Sequence, residues 1–580
     1  MVLPFNLNRF GFTKRKRPYY CECEYLESTG TQYIDLGITS KSSMRAKAKF
    51  NLANVSAQAV FGSATTSATG VGVFFGTAAT GAVYCNSTNT QITPSITLVA
   101  NTNYEFDMSL TTVSINGVNY TASATSDNNY NMLLFARILE GNVNRNISGK
   151  IYYFKLWDNG VLIRDFIPVL DWNMTPCMYD KVTEQLFYNQ GTGSFVAGRQ
   201  VHPVEYLEST GTQYIDTKYI PNINTECSMN LAFVSFDSTY RTPFSVRTAD
   251  GAANSFTIMS SRSTNDNNSF AFGSSYWSGP SVPKVVLNKV VTAILRKGYA
   301  YWDGVSGNPG TSITPTSLTA YMFARNANGT ASNFFIGRIY DCQLKENNTL
   351  VRDFIPAIDQ NGVAYMFDRV SHTCYLNQGT GAFSYPAREV EYLESTGTQF
   401  IDIGLVPTAN TNFELDADIL LTSRPSEFKC IYGYWGGNSN GRFAIFATPK
   451  TTATGYIQFV FGTNANYANF GSSFGRGLYK LQDGVFSYNG QELLTVTGSP
   501  VTASATNMYM FGTNDTSSRD FVPQKVYMNK VWESTQLVRD FIPVYKDGQA
   551  GMLDKVNNVF YPNAGTGTFS VGKVIEPEYE

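Results

Sequence analysis

The chain has 580 residues, 43% hydrophobic and only 15% charged, with 43 Lys+Arg against 45 Asp+Glu and a formal net charge of −2. Near-neutrality argues against a nucleic-acid binder held by phosphate contacts. Two histidines, His202 and His372, exclude most imidazole catalysis and His-ligated metal sites. The aromatic content of 14%, with 48 Gly, suits twisted sheets joined by turns, and the length suggests three or four domains.

Residues 1–20 read as an arm: Leu3, Phe5, Leu7, Phe10 and Phe12 precede Lys14-Arg15-Lys16-Arg17. The apolar start is broken by Pro4 and the charges follow it, the reverse of a secretory signal. No apolar run reaches the roughly 18 residues of a membrane span. Tyr25-Leu-Glu-Ser-Thr-Gly-Thr-Gln-Tyr-Ile-Asp35 then returns at Tyr206–Asp216 and, with one Phe for Tyr, at Tyr392–Asp402. Arg-Asp-Phe-Ile-Pro starts at Arg164, Arg352 and Arg539, and Asn-(Gln/Ala)-Gly-Thr-Gly at Asn189, Asn377 and Asn563. This period far exceeds the roughly 20–50 residues of a solenoid repeat, so each copy is a whole domain. The expected organisation is an arm (1–20), three domains (21–198, 199–387 and 388–574) and a short tail (575–580). The joints lack Gly/Ser or Pro-rich spacers, so the domains are expected end to end with little freedom.

Within each copy the pattern is β. Short apolar or alternating runs occur at Val71–Gly76, Tyr104–Leu110, Lys150–Leu156, Ile336–Leu344, Gln458–Gly462 and Lys525–Val531, with turn residues between them. Asn116-Gly117, Asp303-Gly304 and Asn489-Gly490 fall at one place in all three copies and predict a tight hairpin there. No long 3.6-residue period is present. The eight cysteines (21, 23, 85, 177, 227, 342, 374 and 430) share no positions between copies; Cys177 corresponds to Tyr365 and Gly551. Buried thiols made in a reducing compartment are expected rather than a disulfide framework.

These signatures resemble the LamG-like, concanavalin-A-like jelly-roll domain over residues 24–574. The late-strand runs 149–156, 337–344 and 525–531 carry the likeness. The combination of the opening, Arg-Asp-Phe-Ile-Pro and Gly-Thr-Gly signatures looks like domains in structural and tail proteins of phages of gut bacteria. The resemblance implies an all-β fold of three tandem antiparallel sandwiches and a virion component of a tailed phage, as a head or tail fibre or decoration protein. Such a protein would be assembled in the host cytoplasm, exposed after release, present as a homo-oligomer or in many copies, and used for weak adhesion to host-surface glycans. A purely structural decoration, a bacterial surface glycan-binding protein and, last, a glycoside hydrolase are the alternatives.

Residue by residue, the retained Asp35/Asp216/Asp402 and the Arg-Asp pairs are expected to be scaffold, because copies that bind different ligands should share scaffold and differ at sites. Glu105-x-Asp107 and Glu414-x-Asp416-x-Asp418 have the i, i+2 spacing of jelly-roll glucanases. Neither set recurs in the other copies, so no enzyme is expected. Arg45, Lys47 and Lys49 on one strand face Glu414 and Asp416 at the same positions of the third copy, a pattern suited to assembly contacts. Tyr276-Trp277, Trp302 and Tyr434-Trp435 with Asn438 are candidate sugar contacts, since aromatic faces stack on sugar C–H surfaces. Phe5, Phe10, Phe12, Lys14, Arg15, Lys16 and Arg17 are candidate anchors to other virion proteins. No cofactor or metal is expected. Relatives of the fold often hold calcium, but no loop here has a ligand series for it. Nucleic acid and membrane insertion are not expected.

Overall fold

The structure, a computed structural model, describes residues 17–66, 69–75, 81–87, 89–266, 268–436, 441–449, 455–462, 467–496, 506–515 and 521–575. Every regular element among them is a strand, and nearly all pairings are antiparallel; the fold is all-β. The candidate anchors Phe5, Phe10, Phe12, Lys14, Arg15 and Lys16, and Asn438, lie outside the described residues. The described chain forms two compact units, one ending at Phe383 and the other spanning Ser384–Ile575.

Strict alternation builds each sandwich. In Met44–Leu52 the side chains of Met44, Ala46, Ala48, Phe50 and Leu52 are buried, while Arg45, Lys47 and Asn51 point to the other face. Thr411–Ile419 repeats the pattern with Phe413, Leu415 and Ala417 inside and Glu414, Asp416 and Asp418 outside. The inward faces meet residues of a second sheet: Ala48, Phe50, Phe106 and Phe154 share one core with Val60, Phe61, Val71 and Leu134. Fully burying side chains of this size contributes about 1.5–3 kcal/mol each, which makes the alternation the main determinant of register. The expected hairpins form. Asn116, Asp303 and Asn489 have φ of 49°, 47° and 49°, followed by Gly117, Gly304 and Gly490 at 83°, 88° and 81°. Positive φ at both central residues is the geometry that Asn-Gly and Asp-Gly tolerate.

In the first unit the large sheets of the first two repeats run together as one sheet of 21 described strands. The seam is the segment between the repeats. Cys21–Cys23 pairs with Val161–Leu170 on one side and with Gln200–Pro203 on the other, through Glu22↔Val201 and Cys23↔Gln200. Gln200–Pro203 then pairs with Thr349–Ile358 of the second repeat, through His202↔Ile358 and Pro203↔Ala357. One four-residue strand thus belongs to both sandwiches. In the second unit sheets of 11 and of seven described strands enclose their own core, which includes Phe413, Phe443, Phe459 and Phe486.

Candidate functional site

The three retained signatures are accounted for by folding. In the opening signature, Gln32 Oε1 accepts from Ser28 Oγ (2.9 Å) and Thr29 N (2.8 Å), and its Nε2 donates to Thr192 O (3.1 Å). Asn189 Oδ1 in turn accepts from Tyr33 N (3.1 Å), so the opening turn and the Gly-Thr-Gly turn are one interlocked element. Gln213 with Asn377, and Gln399 with Asn563, repeat it. The middle glycine is demanded by contact: a Cβ on Gly191, Gly379 or Gly565 would lie 2.0, 2.0 or 2.2 Å from the carbonyl oxygen of Thr31, Thr212 or Thr398. The aspartates at the end of the opening signature cap turns, with Asp35, Asp216 and Asp402 accepting from Gly37 N, Lys218 N and Gly404 N.

In Arg-Asp-Phe-Ile-Pro the arginine faces a fully buried aspartate one strand away: Arg164, Arg352 and Arg539 Nε stand 3.6, 3.5 and 3.7 Å from Asp180, Asp368 and Asp554. Each of those aspartates also accepts from the backbone of the signature aspartate and from the turn that follows it, as Asp368 does from Asp353 N (2.8 Å) and Val370 N (3.1 Å). The sequence reading missed this trio, although Asp-(Lys/Arg)-Val at 180, 368 and 554 recurs with the same period.

The seam of the first unit carries a second, buried polar cluster. Lys49 is only 8% exposed; its ammonium donates to Ser371 O (3.1 Å) and to Thr373 Oγ1 of the next repeat and lies 4.6 Å over the Tyr152 ring. Beside it Glu24 accepts from Cys374 N (3.1 Å), Arg199 pairs with the buried Asp359, and Tyr365 donates to Gln200 O (2.5 Å). Burial lowers the Lys49 pKa to about 8 despite nearby Glu24 and Asp368, and burial raises that of the Glu24 carboxyl. Buried ionic groups that are hydrogen-bonded in this way add little net stability, because desolvation offsets their attraction.

Next to this cluster, a groove of about 450 Å³ opens between the first two sandwiches. From the first repeat it is lined by Arg45, Lys47, Tyr153, Lys155, Trp157 and Lys181, together with Asp165 and Ile167. The second repeat contributes Leu350, Asp353, Arg369, Val370 and His372. Most of the charges are paired. Arg45 grips Asp107 through two bonds (2.7 and 2.5 Å), Lys47 meets Glu105 (2.5 Å), Lys155 meets Asp165 (3.1 Å) and Arg369 meets Asp353 (2.7 Å). The Arg45 guanidinium lies 4.6 Å over the half-buried Trp157 ring. His372 is buried and its Nε2 has no hydrogen-bond partner among the described residues. Burial, reinforced by Lys181, Lys49 and Lys155, holds its pKa well below the usual histidine value, so it is neutral.

The other sequence candidates fall elsewhere. Glu105 and Asp107, with catalytic spacing, are the partners of Lys47 and Arg45 just described. Glu414 lies 3.9 Å from Lys480, and Asp416 pairs with Arg476 (2.8 Å), so these stripes have partners inside their own sandwiches. Lys49 alone of the stripe reaches another repeat within the first unit. Trp277 and Trp302 are core side chains, 7% and 2% exposed, packed on Phe270 at 5.4 and 6.3 Å. They offer no open face to a sugar, because strand alternation turns them inward and leaves Tyr276 outside, where its hydroxyl accepts from Gly251 N. Tyr434 is likewise buried, and Trp435 packs edge-on against Phe446 under the Arg442 guanidinium. Arg17 contributes its carbonyl oxygen to Trp172 Nε1 (3.0 Å). Trp157 and its counterpart Trp532, which lines a 360 Å³ hollow with Asn412, Glu414 and Lys480 on the third sandwich, were passed over in the sequence. A tryptophan at an outward strand position, beside charged neighbours on both paired strands, was the available signal.

No family model matches the chain, and no curated protein matches it. Among solved structures it is similar to domains LG4-5 of the mouse laminin alpha1 chain, at 12% identity over 60% of this chain and 94% of that chain, with a TM-score of 0.24. It is also similar to the LG1-3 region of the laminin alpha2 chain, at 11% identity over 95% of this chain and 100% of that chain, again with a TM-score of 0.24.

Proposed function

We propose that this protein works by contact rather than turnover: it is a display protein whose β-sandwiches present weak, multivalent saccharide contacts. In its finer form it is a head or tail component of a phage virion, tied to the particle by residues 1–20. The observation that carries the reading is the groove at the seam, where aromatic and charged side chains converge on a scaffold fixed by Lys49, Glu24 and the shared strand. The acids with catalytic spacing are tied up in ion pairs with Arg45 and Lys47, which supports a role without hydrolysis. The virion setting rests on the likeness of the signatures to phage domains. Repeating millimolar contacts over many copies raises avidity by orders of magnitude without any new contact. The test is binding of the full chain, multimerised on beads, to a glycan array and to intact bacteria, together with proteomics of particles carrying a deletion of residues 2–17. Glycan binding and loss of the truncated chain from particles are expected. An array with no bound glycan would end the adhesive reading, and a truncated chain still on the particle would end the tether. Pairing of nearly every groove cation within the protein favours, as the second reading, decoration without a ligand.

A further inference from the structure

We infer that the groove between the first two sandwiches is a binding site for an acidic saccharide, a sugar bearing carboxylate or sulfate, held by Arg45, Lys155, Lys181 and Arg369 against Trp157. This rests on the contact reading above and names the ligand class of that site. The lining contributes five cations, Arg45, Lys47, Lys155, Lys181 and Arg369, against two carboxylates, Asp165 and Asp353. Asp107 and Glu105, which pair Arg45 and Lys47 at 2.5 Å and line an adjoining hollow, bring the local balance to five cations against four carboxylates. Lys181 is exposed and makes no ion pair among the described residues. Within a groove this small the charges lie inside or near one screening length, roughly 8 Å at physiological salt, and act together on a bound anion.

The same lining favours a sugar over an acidic peptide. A peptide gains affinity by adding a strand to a free sheet edge. The strands under the groove are interior ones: Met44–Leu52 pairs with both Asn103–Ser109 and Ser148–Asp158, and Val161–Leu170 pairs with Ser148–Asp158, Pro176–Asp180 and Cys21–Cys23. Recognition is left to side chains: the exposed Lys181 ammonium and the N–H groups that Arg45 and Arg369 keep beyond their bonds to Asp107 and Asp353 face an anion, and Trp157 with the exposed Leu350 and Val370 suits sugar C–H faces. The third sandwich supplies an internal contrast. Trp532 and Lys530 are kept there, but Asn412, Glu414 and Asp416 replace Arg45, Lys47 and Lys49, so the positive excess is gone. One site per chain is therefore expected.

The experiment is calorimetric titration of the full chain with an oligogalacturonate, with a sulfated oligosaccharide, with the carboxyl-reduced and therefore neutral form of the first, and with polyglutamate of equal charge. Binding of at least one acidic sugar at one site per chain is expected, weakened several-fold between 50 and 500 mM salt and at least tenfold in Lys181→Glu/Arg369→Glu. Both substituted residues are exposed, and an unchanged melting curve checks the fold of the variant. Equal binding of the neutral sugar or of polyglutamate, three equivalent sites, or binding indifferent to the double variant overturns the inference and leaves the adhesive reading standing. No binding of any saccharide, on the array or in solution, overturns both.

Discussion

Lys49→Met tests the buried seam of the first unit. The folded protein lowers the Lys49 pKa from 10.5 to about 8, a preference for the neutral amine equivalent to roughly 3 kcal/mol. Between those two values the unfolded chain binds more protons at this position than the folded one, so this contribution to stability rises with pH, is complete above 10.5, and is lost as pH falls through 8. At pH 7 the charged form therefore carries the desolvation penalty, and the two hydrogen bonds to Ser371 O and Thr373 Oγ1 offset only part of it. Methionine matches the length of the stem and needs no solvation, so the variant is expected to be as stable as the parent or more so at pH 7, as is common when a buried charge is replaced by an apolar side chain of similar size. Lys49→Ala leaves the stem's volume empty and should cost about 2–4 kcal/mol. The assay is the thermal midpoint of the first unit for parent and Lys49→Met from pH 7 to 10.5. The difference between the two curves is the quantity to read, because other titrating groups cancel in it. The parent should gain about 3 kcal/mol on the variant across that range. Parallel curves would refute the reasoning.

Other perturbations separate scaffold from site. Asp554→Ala removes the acceptor for Asp540 N (3.0 Å), Val556 N (3.1 Å) and Asn557 Nδ2 (2.6 Å). It takes the ion-pair partner from Arg539, which keeps its bonds to the Ile403, Gly404 and Val538 carbonyls, and should destabilise the second unit by about 3–5 kcal/mol while the melting of the first is unchanged. Gly565→Ala pushes a methyl group against Thr398 O and should cost that same unit about 1–3 kcal/mol, seen as a lower urea midpoint at constant slope. Glu105→Gln removes the partner of Lys47 at a half-exposed position and should shift stability by less than about 1 kcal/mol. No release of reducing sugar ends is expected from parent or Glu105→Gln; glycan hydrolysis by the parent that the substitution abolishes would refute the contact reading.

Much of the fold was legible because β-sandwich physics writes itself locally. The hairpin at Asn116-Gly117 follows from the conformations that two residues tolerate, and the inward faces of Met44–Leu52 and Thr411–Ile419 follow from alternation. The site was less legible for two reasons. Composition does not say which side of a strand an aromatic takes: Tyr276 and Trp277 are adjacent, yet one is outside and the other lies against Gly307, where an added Cβ would stand 2.2 Å from the Trp277 ring nitrogen. The groove joins residues far apart in the chain, such as Lys155 and Arg369, which the pairing of the segment between the repeats and the Lys49 and Glu24 bonds beside it bring together. The charge stripe pointed to a contact between repeats, but of its three cations only Lys49 bonds to another repeat among the described residues of the first unit, with a main-chain carbonyl and a hydroxyl rather than an acid.

Gln200–Pro203 has its first half laced to Cys21–Cys23 and its second half to Thr349–Ile358. Tension entering through one sandwich would therefore pass to the other through several ladder bonds sharing the strain, instead of one tether stretching alone. Bending at that place means unzipping sheet on one flank, so the pair resists flexing as a plywood lap joint does, and a ligand lodged across it would feel a fixed gap.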